Sequence, residues 1–429
     1  MKNLEQMLLS AFRWVACLIP GMGRTTIALA LLAMPFTLLG QAPEPTVDEK
    51  IKSEVARQLA EAEAARWKAG INPMGGGVFI KSPDGKAYFR LYGYAQPQFT
   101  WTDGGQHLGF GNTDFRVRRA RIDFSVDYDD RFKLFIEFDG APADGTALVE
   151  GYVQAALQKD RHYIRLGKYI SPFSSENLRS SRAMDTVERY IALNSLFGLP
   201  AIDVQFGAML WGAFDKEKRF NYLVGVFNGN SSAGAAVVNG VRGNARDNNA
   251  IKDFQARFNV KATKEFTVGA AYDVDVEDTQ TLQISSYAGA KFIAATVKGK
   301  RQGVDLDGHY KKERCSFDVE WLRADFKDSD AVLHGGYAQA GYWVSGSEAK
   351  GGVQGILRGE YAQIDGAAVD PVDGKTLVAA TLGANVWFNG WTRLQVNAIA
   401  EHVNGNGNGT LLGGSTWRPT LLTQLQVKF

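Results

Sequence analysis

From Gly77 to Phe429 apolar and polar residues alternate with a period of two, the repeat of a strand whose successive side chains point to opposite faces. In residues 87–101, Phe89, Leu91, Gly93, Ala95, Pro97, Phe99 and Trp101 share one face, and Tyr88, Arg90, Tyr92, Tyr94, Gln96, Gln98 and Thr100 share the other. Residues 119–128 set Ala120, Ile122, Phe124, Val126 and Tyr128 against Arg119, Arg121, Asp123, Ser125 and Asp127. Residues 132–139 set Phe132, Leu134, Ile136 and Phe138 against Lys133, Phe135, Glu137 and Asp139. A face so densely charged is no protein core. It is the solvent side of a soluble sandwich, or the wet lumen of a barrel whose apolar side meets lipid.

The connections favour the barrel. Short polar turns at 128–131, 158–161, 214–219, 263–265, 310–314 and 388–391 alternate with longer Gly/Asn/Ser-rich stretches at 103–112, 171–202, 229–251, 276–302, 364–374 and 404–415. That is the pattern of tight periplasmic turns and long outer loops. Threading the alternation predicts strands at 86–102, 115–128, 131–140, 147–158, 161–170, 203–213, 219–228, 252–262, 265–275, 303–311, 314–326, 333–345, 352–364, 375–388, 391–403 and 416–429. The expected fold is all-β, a transmembrane antiparallel barrel of about sixteen strands with both ends in the periplasm. The stretch 284–297 has some strand character, but counting it as a strand breaks the parity, so it is assigned to a long loop. Leu421, Thr423, Leu425, Val427 and Phe429 alternate with Leu422, Gln424, Gln426 and Lys428 to the last residue, like the terminal strand that barrel-assembly machinery recognises.

Upstream the pattern changes. Residues 1–42 read as an export signal: Arg24, an apolar run from Ile27 to Leu39, then Gly40-Gln41-Ala42 near a cleavage site. Met22 is an alternative start, and an uncleaved anchor is the competing reading, against which the run is short. Residues 43–76 form a linker and helix. Val47, Ile51, Val55 and Leu59 make one narrow stripe on a charged helix expected over 47–68. It is a short periplasmic coiled coil or a solvated linker. The barrel is expected over 77–429.

Composition adds little and excludes some readings. The 47 glycines and 11% aromatics suit strands, tight turns and membrane interfaces. A net charge of +2 gives no nucleic-acid signature. A mean hydropathy of −0.20 is that of a soluble protein, but a polar lumen dilutes the average of a barrel too. Of Cys17 and Cys315 only the second lies beyond the signal, so no internal disulfide is expected. The histidines His107, His162, His309, His334 and His402 show no metal-ligand spacing and no Gly-x-Ser-x-Gly occurs, so neither enzyme, metal nor cofactor is expected.

Val117-Arg-Arg-Ala-Arg-Ile-Asp-Phe124, Gly167-Lys168-Tyr169, Ser180-Ser181 and Glu188-Arg189 resemble the motifs of the phosphate-selective porin O and P family, most closely over 86–215. The resemblance implies a trimeric anion channel of sixteen strands whose third outer loop, here about 171–202, folds inward to narrow the pore. It also marks a departure: where the family's phosphate-specific members carry an arginine on the first strand, this chain has Tyr94.

An anion pore needs lumen cations spaced to hand the ion on, and arginine's planar fork suits oxyanions. Parity points Arg119, Arg121, Lys133, Arg165 and Arg90 inward. Arg118 falls on the lipid parity, so it belongs above the membrane rim, at a subunit interface or beside a bulge that turns it in. Arg179, Arg182 and Arg189 are expected at the constriction, opposed by Glu176, Asp185 and Glu188; Lys291, Lys298, Lys300 and Arg301 are expected at the mouth, in the loop 276–302. The expected function is passive diffusion of small anions, with phosphate or polyphosphate among them, and outer-membrane lipids, a homotrimer and the assembly machinery at Phe429 as partners. A weakly selective porin with charge-balanced walls and a closed structural barrel tethered by the helix are the alternatives.

Overall fold

The computed structural model of the chain describes residues 46–72, 76–103, 112–141, 147–197, 202–229, 251–287, 291–366, 376–404 and 417–429. The export signal expected over 1–42 and His107 lie outside them. The chain divides after Ala64 into two compact units.

The first unit holds helix α1 (Val47–Ala64). Thr46 and Glu49 close its N-terminus reciprocally, Glu49 N–H to Thr46 Oγ1 at 3.3 Å and Thr46 N–H to Glu49 Oε2 at 2.7 Å. Arg57 ties Glu54 and Glu61 at 2.6 and 3.0 Å on its surface. The apolar stripe Val47, Ile51, Val55 and Leu59 is exposed. The helix ends before the expected Lys68, because Lys68–Ile71 instead forms a strand.

That strand, β1 (Lys68–Ile71), pairs with β2 (Val78–Lys81), and β2 lies along Tyr88–Leu91 of β3 (Ala87–Thr102). From β3 onward the strands run β4 (Thr113–Tyr128), β5 (Phe132–Asp139), β6 (Ala147–Gln158), β7 (His162–Ile170), β8 (Val204–Ala213), β9 (Phe220–Phe227), β10 (Asp253–Lys261), β11 (Phe266–Ser285), β12 (Lys291–Lys312), β13 (Cys315–Phe326), β14 (Ala331–Ser347), β15 (Gly351–Gly366), β16 (Thr376–Trp387), β17 (Thr392–Asn404) and β18 (Trp417–Lys428). Each pairs antiparallel with the next, and β18 returns to β3, Thr420 opposite Thr102 and Lys428 opposite Tyr94. β3 to β18 thus form a closed sixteen-stranded barrel. Phe429 exchanges backbone hydrogen bonds with Gly93, and a Cβ on Gly93 would meet the Phe429 ring at 2.8 Å. Only glycine lets the last residue close the seam here.

The turns are as tight as their residues permit. Asp129 and Asp130 both have φ of 53°, the left-handed central pair of a turn closed by Arg131 N–H on the Tyr128 carbonyl at 3.0 Å, and aspartate tolerates that region better than most side chains.

One assignment fails. The supposed loop 276–302 is the outer half of a hairpin: β11 runs to Ser285 and β12 begins at Lys291. The pairing shifts register between Glu277 and Gln280. The lumen face therefore passes from odd positions (Asp273, Asp275, Glu277) to even ones (Leu282, Ile284), and the period-two signal breaks. The extra strand length belongs equally to two strands, so the count stays even.

Candidate functional site

The connection from β7 to β8 is built into the barrel. It carries helix α2 (Ser175–Leu178), a 3₁₀ turn (Ser181–Ala183) and helix α3 (Ile191–Phe197). Alternation alone implies a lumen that is polar throughout, but its long-loop half is apolar along β11 to β17. Leu282, Ile284, Val297, Leu322, Ala324, Phe326, Leu333, Ala362, Ile364, Leu377 and Ile399 are buried there, around Ile191, Leu193 and Leu196 of α3. Burying such side chains stabilises by roughly 1.5–3 kcal/mol each. Gly335 lets α3 approach, since a Cβ there would lie 2.5 Å from that of Ala192.

Polar ties carry the loop on around the wall. Glu320 accepts from Ser174 Oγ and from Glu176 N–H at 2.9 Å. Arg358 donates to Glu176 at 2.9 Å, and Glu360 accepts from Ile191 N–H at 2.7 Å. Asn397 accepts from Val187 N–H at 2.8 Å, and Arg393 and Gln426 both donate to the Arg182 carbonyl in the loop.

The loop then meets β4. The register shift between Gln96 and Pro97 leaves Arg118 without a cross-strand partner, the bulge that turns a lipid-parity residue inward. Arg118 forks onto Glu188 at 2.6 and 3.1 Å. Arg119 lies 3.6 Å and Arg116 3.9 Å from the same carboxylate. Burial pushes the Glu188 carboxyl up, but the charges of Arg118 and Arg119 outweigh it and hold it down to about 2.

The other expected cations are variously engaged. Arg121 donates to Glu137 at 2.7 Å and Asp139 at 3.1 Å, and Lys133 to Asp127 at 2.9 Å. Arg90 lies 3.6 Å from Asp127, against the rings of Tyr88 and Tyr92. Arg165 donates to Gln154 and sits 4.2 Å over the Tyr152 ring; among the described residues no carboxylate lies within ion-pair distance of it. Around it Phe135, Tyr152, Tyr169 and Phe227, on β5, β6, β7 and β9, form a lumen-side aromatic belt. Gly167, at φ 131°, sits where a Cβ would strike the Gly151 carbonyl at 2.3 Å, which accounts for the glycine of Gly167-Lys168-Tyr169. Tyr94 is buried opposite Arg121. In the loop, Arg179 pairs with Asp185 at 3.0 Å, and Arg182 lies 3.7 Å from Asp123. Arg189 donates to the carbonyls of Glu176, Asn177 and Arg179, so it knits the loop to itself.

Arg301 corrects an expectation. It is not at a mouth but buried in β12, caged by Asp273, Asp275 and Glu277. Lys291, Lys298 and Lys300 are on the same strand. Beside the cage Arg257 holds Asp305 and Asp307. This acidic wall, like Arg116, Arg358 and Arg393, went unread in the sequence, although Asp273-x-Asp275-x-Glu277 and Asp305-x-Asp307 spell it in period two.

Ser175 Oγ lies 2.7 Å from His309 Nε2, and His309 Nδ1 lies 2.7 Å from Asp318. The Nε2 atom also lies 2.9 Å from Asp307. The trio ties the loop to the wall.

A family model described as phosphate-selective porin O and P matches residues 89–429. No curated protein sequence matches the chain. Among solved structures, the outer-membrane channel DcaP of Acinetobacter baumannii superposes with a TM-score of 0.54 at 12% identity, over 81% of this chain and 99% of that one. The anion-selective porin from Comamonas acidovorans gives 0.53 at 10%, over 80% and 100%. OmpT of Vibrio cholerae in its trimer form gives 0.53 at 11%, over 80% and 100%. At such identities the likeness is one of fold.

Proposed function

The chain belongs to the phosphate-selective porin O and P family, and from that premise we propose that its channel passes small anions by passive diffusion in preference to cations. The chain is a porin of the bacterial outer membrane. The observation that carries its selectivity is the grouping of Arg116, Arg118 and Arg119 on the single carboxylate of Glu188. An excess of fixed positive charge beside the inward loop raises the local anion concentration. Arg165 and Lys168, neither of them in an ion pair among the described residues, extend that excess along the wall.

Phosphate specificity does not belong to this reading. Tyr94 occupies the place of an arginine and offers one hydroxyl hydrogen in place of a charged fork. A weakly selective pore is the second reading, favoured by the pairing of Arg121 and Lys133 with Glu137, Asp139 and Asp127. Residues 1–42 act as a cleaved signal in this account, and Phe429 as the assembly signal. The exposed stripe of α1 supports association of copies, and the trimer form of OmpT supports three of them.

Reversal potential in planar bilayers under a KCl gradient tests the reading. Chloride preference in the parent that falls in R118Q/R119Q supports it; a parent potential at zero or on the potassium side contradicts it.

A further inference from the structure

On the short-turn side of the inward loop lies a cavity of ≈ 580 Å³, walled by Arg179, Asp185, Trp343, Gln354, Trp387 and Arg393, among others. Trp387 and Arg393 are direct cross-strand partners on β16 and β17, and both are buried. The guanidinium sits 4.9 Å from the indole centroid. Arg393 Nη1 donates to the Met184 carbonyl at 2.8 Å, and Nη2 donates to Arg182 O and Gln426 Oε1, both at 3.2 Å. Those bonds fix the fork and leave Nε–H without an acceptor among the described residues; Trp387 Nε1–H is likewise without one.

Buried cations are ordinarily paired, and buried donors ordinarily bonded. Arg393 has no carboxylate within ion-pair distance among the described residues. Of the carboxylates on the cavity walls, Asp185 pairs with Arg179 at 3.0 Å, Glu348 with Lys428 at 3.0 Å and Asp318 with His309 at 2.7 Å, while Glu265 and Glu313 lie on the short turns at its edge. The loop therefore holds a charged fork and an indole N–H beside a cavity in the size range of small-molecule sites, far larger than an inorganic phosphate ion fills.

We propose that this cavity is a binding station for a small organic carboxylate. Its carboxylate accepts from Arg393 Nε–H and Trp387 Nε1–H, and its apolar body lies against Trp343. The station rests on the anion-channel reading and names a substrate class for it.

Block of chloride current through the full-length protein in planar bilayers tests this, with benzoate as the probe and acetate and inorganic phosphate as comparators. Benzoate is expected to block saturably, at concentrations where acetate and phosphate do not. W387F keeps an aromatic ring beside Arg393 and removes the N–H along with the rest of the indole's second ring, so its half-blocking concentration for benzoate should rise about five- to tenfold. W343A should erase the advantage of benzoate over acetate. Neither variant changes a charge, so both should keep the parent's reversal potential. Equal block by benzoate and acetate, or a W387F channel blocked as readily as the parent, overturns the station. Chloride preference without benzoate block removes the station alone; potassium preference with W387F-sensitive block removes the selectivity reading and leaves the station.

Discussion

Two stretches of lumen wall, β3–β7 and β10–β13, are built from the same alternating strands and carry opposite charge. On the first, with the loop that rests on it, Arg90, Arg116, Arg118, Arg119, Arg121, Lys133, Arg165, Lys168 and Arg182 outnumber Asp123, Asp127, Glu137, Asp139, Glu150 and Glu188. On the second, Asp253, Asp273, Asp275, Glu277, Asp305, Asp307, Asp318 and Glu320 outnumber Arg257, Arg301 and His309. The engagement differs too. Arginines share one carboxylate at Glu188, whereas at Arg301 carboxylates share one arginine. A strand pattern fixes which side chains face the lumen; the identity of the minority partner fixes what the lumen attracts.

The largest effect should follow from removing the minority partner on the acidic wall. R301Q leaves Asp273, Asp275 and Glu277 buried without a cation, a loss of about 3–5 kcal/mol of stability. It should appear as a lower midpoint for the heat-dependent shift of the barrel on gels. A midpoint within a degree or two of the parent would break the comparison on that side.

On the basic wall, E188Q should cost less, about 2 kcal/mol, because the Arg118 side chain is 36% exposed and water screens part of the change. The same variant should move reversal potential further toward chloride. The pH dependence sharpens this. The folded carboxyl lies below its ordinary value, so its contribution is present above the unfolded range near 4.5 and is lost only as pH falls through about 2. Loop anchorage at Glu188 and the selectivity it carries should hold from pH 8 to 5. A reversal potential that titrates within that window would place the controlling group elsewhere.

The smallest effect should come from K133Q. The pair of Lys133 with Asp127 is partly exposed on both sides, so its loss should cost under about 1 kcal/mol and shift reversal potential least of the three.

The barrel was legible in the sequence almost strand for strand, because lipid on one side and a wet lumen on the other impose period two with little exception. What escaped reading lies at breaks of that period. The bulge at Arg118 brought Arg116 to Glu188 as well, and the register shift after Glu277 concealed the outer half of the β11–β12 hairpin. The helix Ile191–Phe197 was hidden for another reason: it is too short to show a helical repeat, and its stability comes from the apolar wall it packs on, formed by strands distant in sequence. The charged residues of the inward loop were legible as residue types, but their partners were not. Arg121 and Glu137, or Arg301 and Asp273, meet only once register is set.

The most direct test of opposed walls is reversal potential under a KCl gradient at low ionic strength, where screening is weakest, for R118Q/R119Q and D275N beside the parent. The account predicts chloride preference in the parent, a shift toward potassium in R118Q/R119Q and a shift further toward chloride in D275N. Two variants that move in the same direction, or that leave the potential where it was, would contradict it.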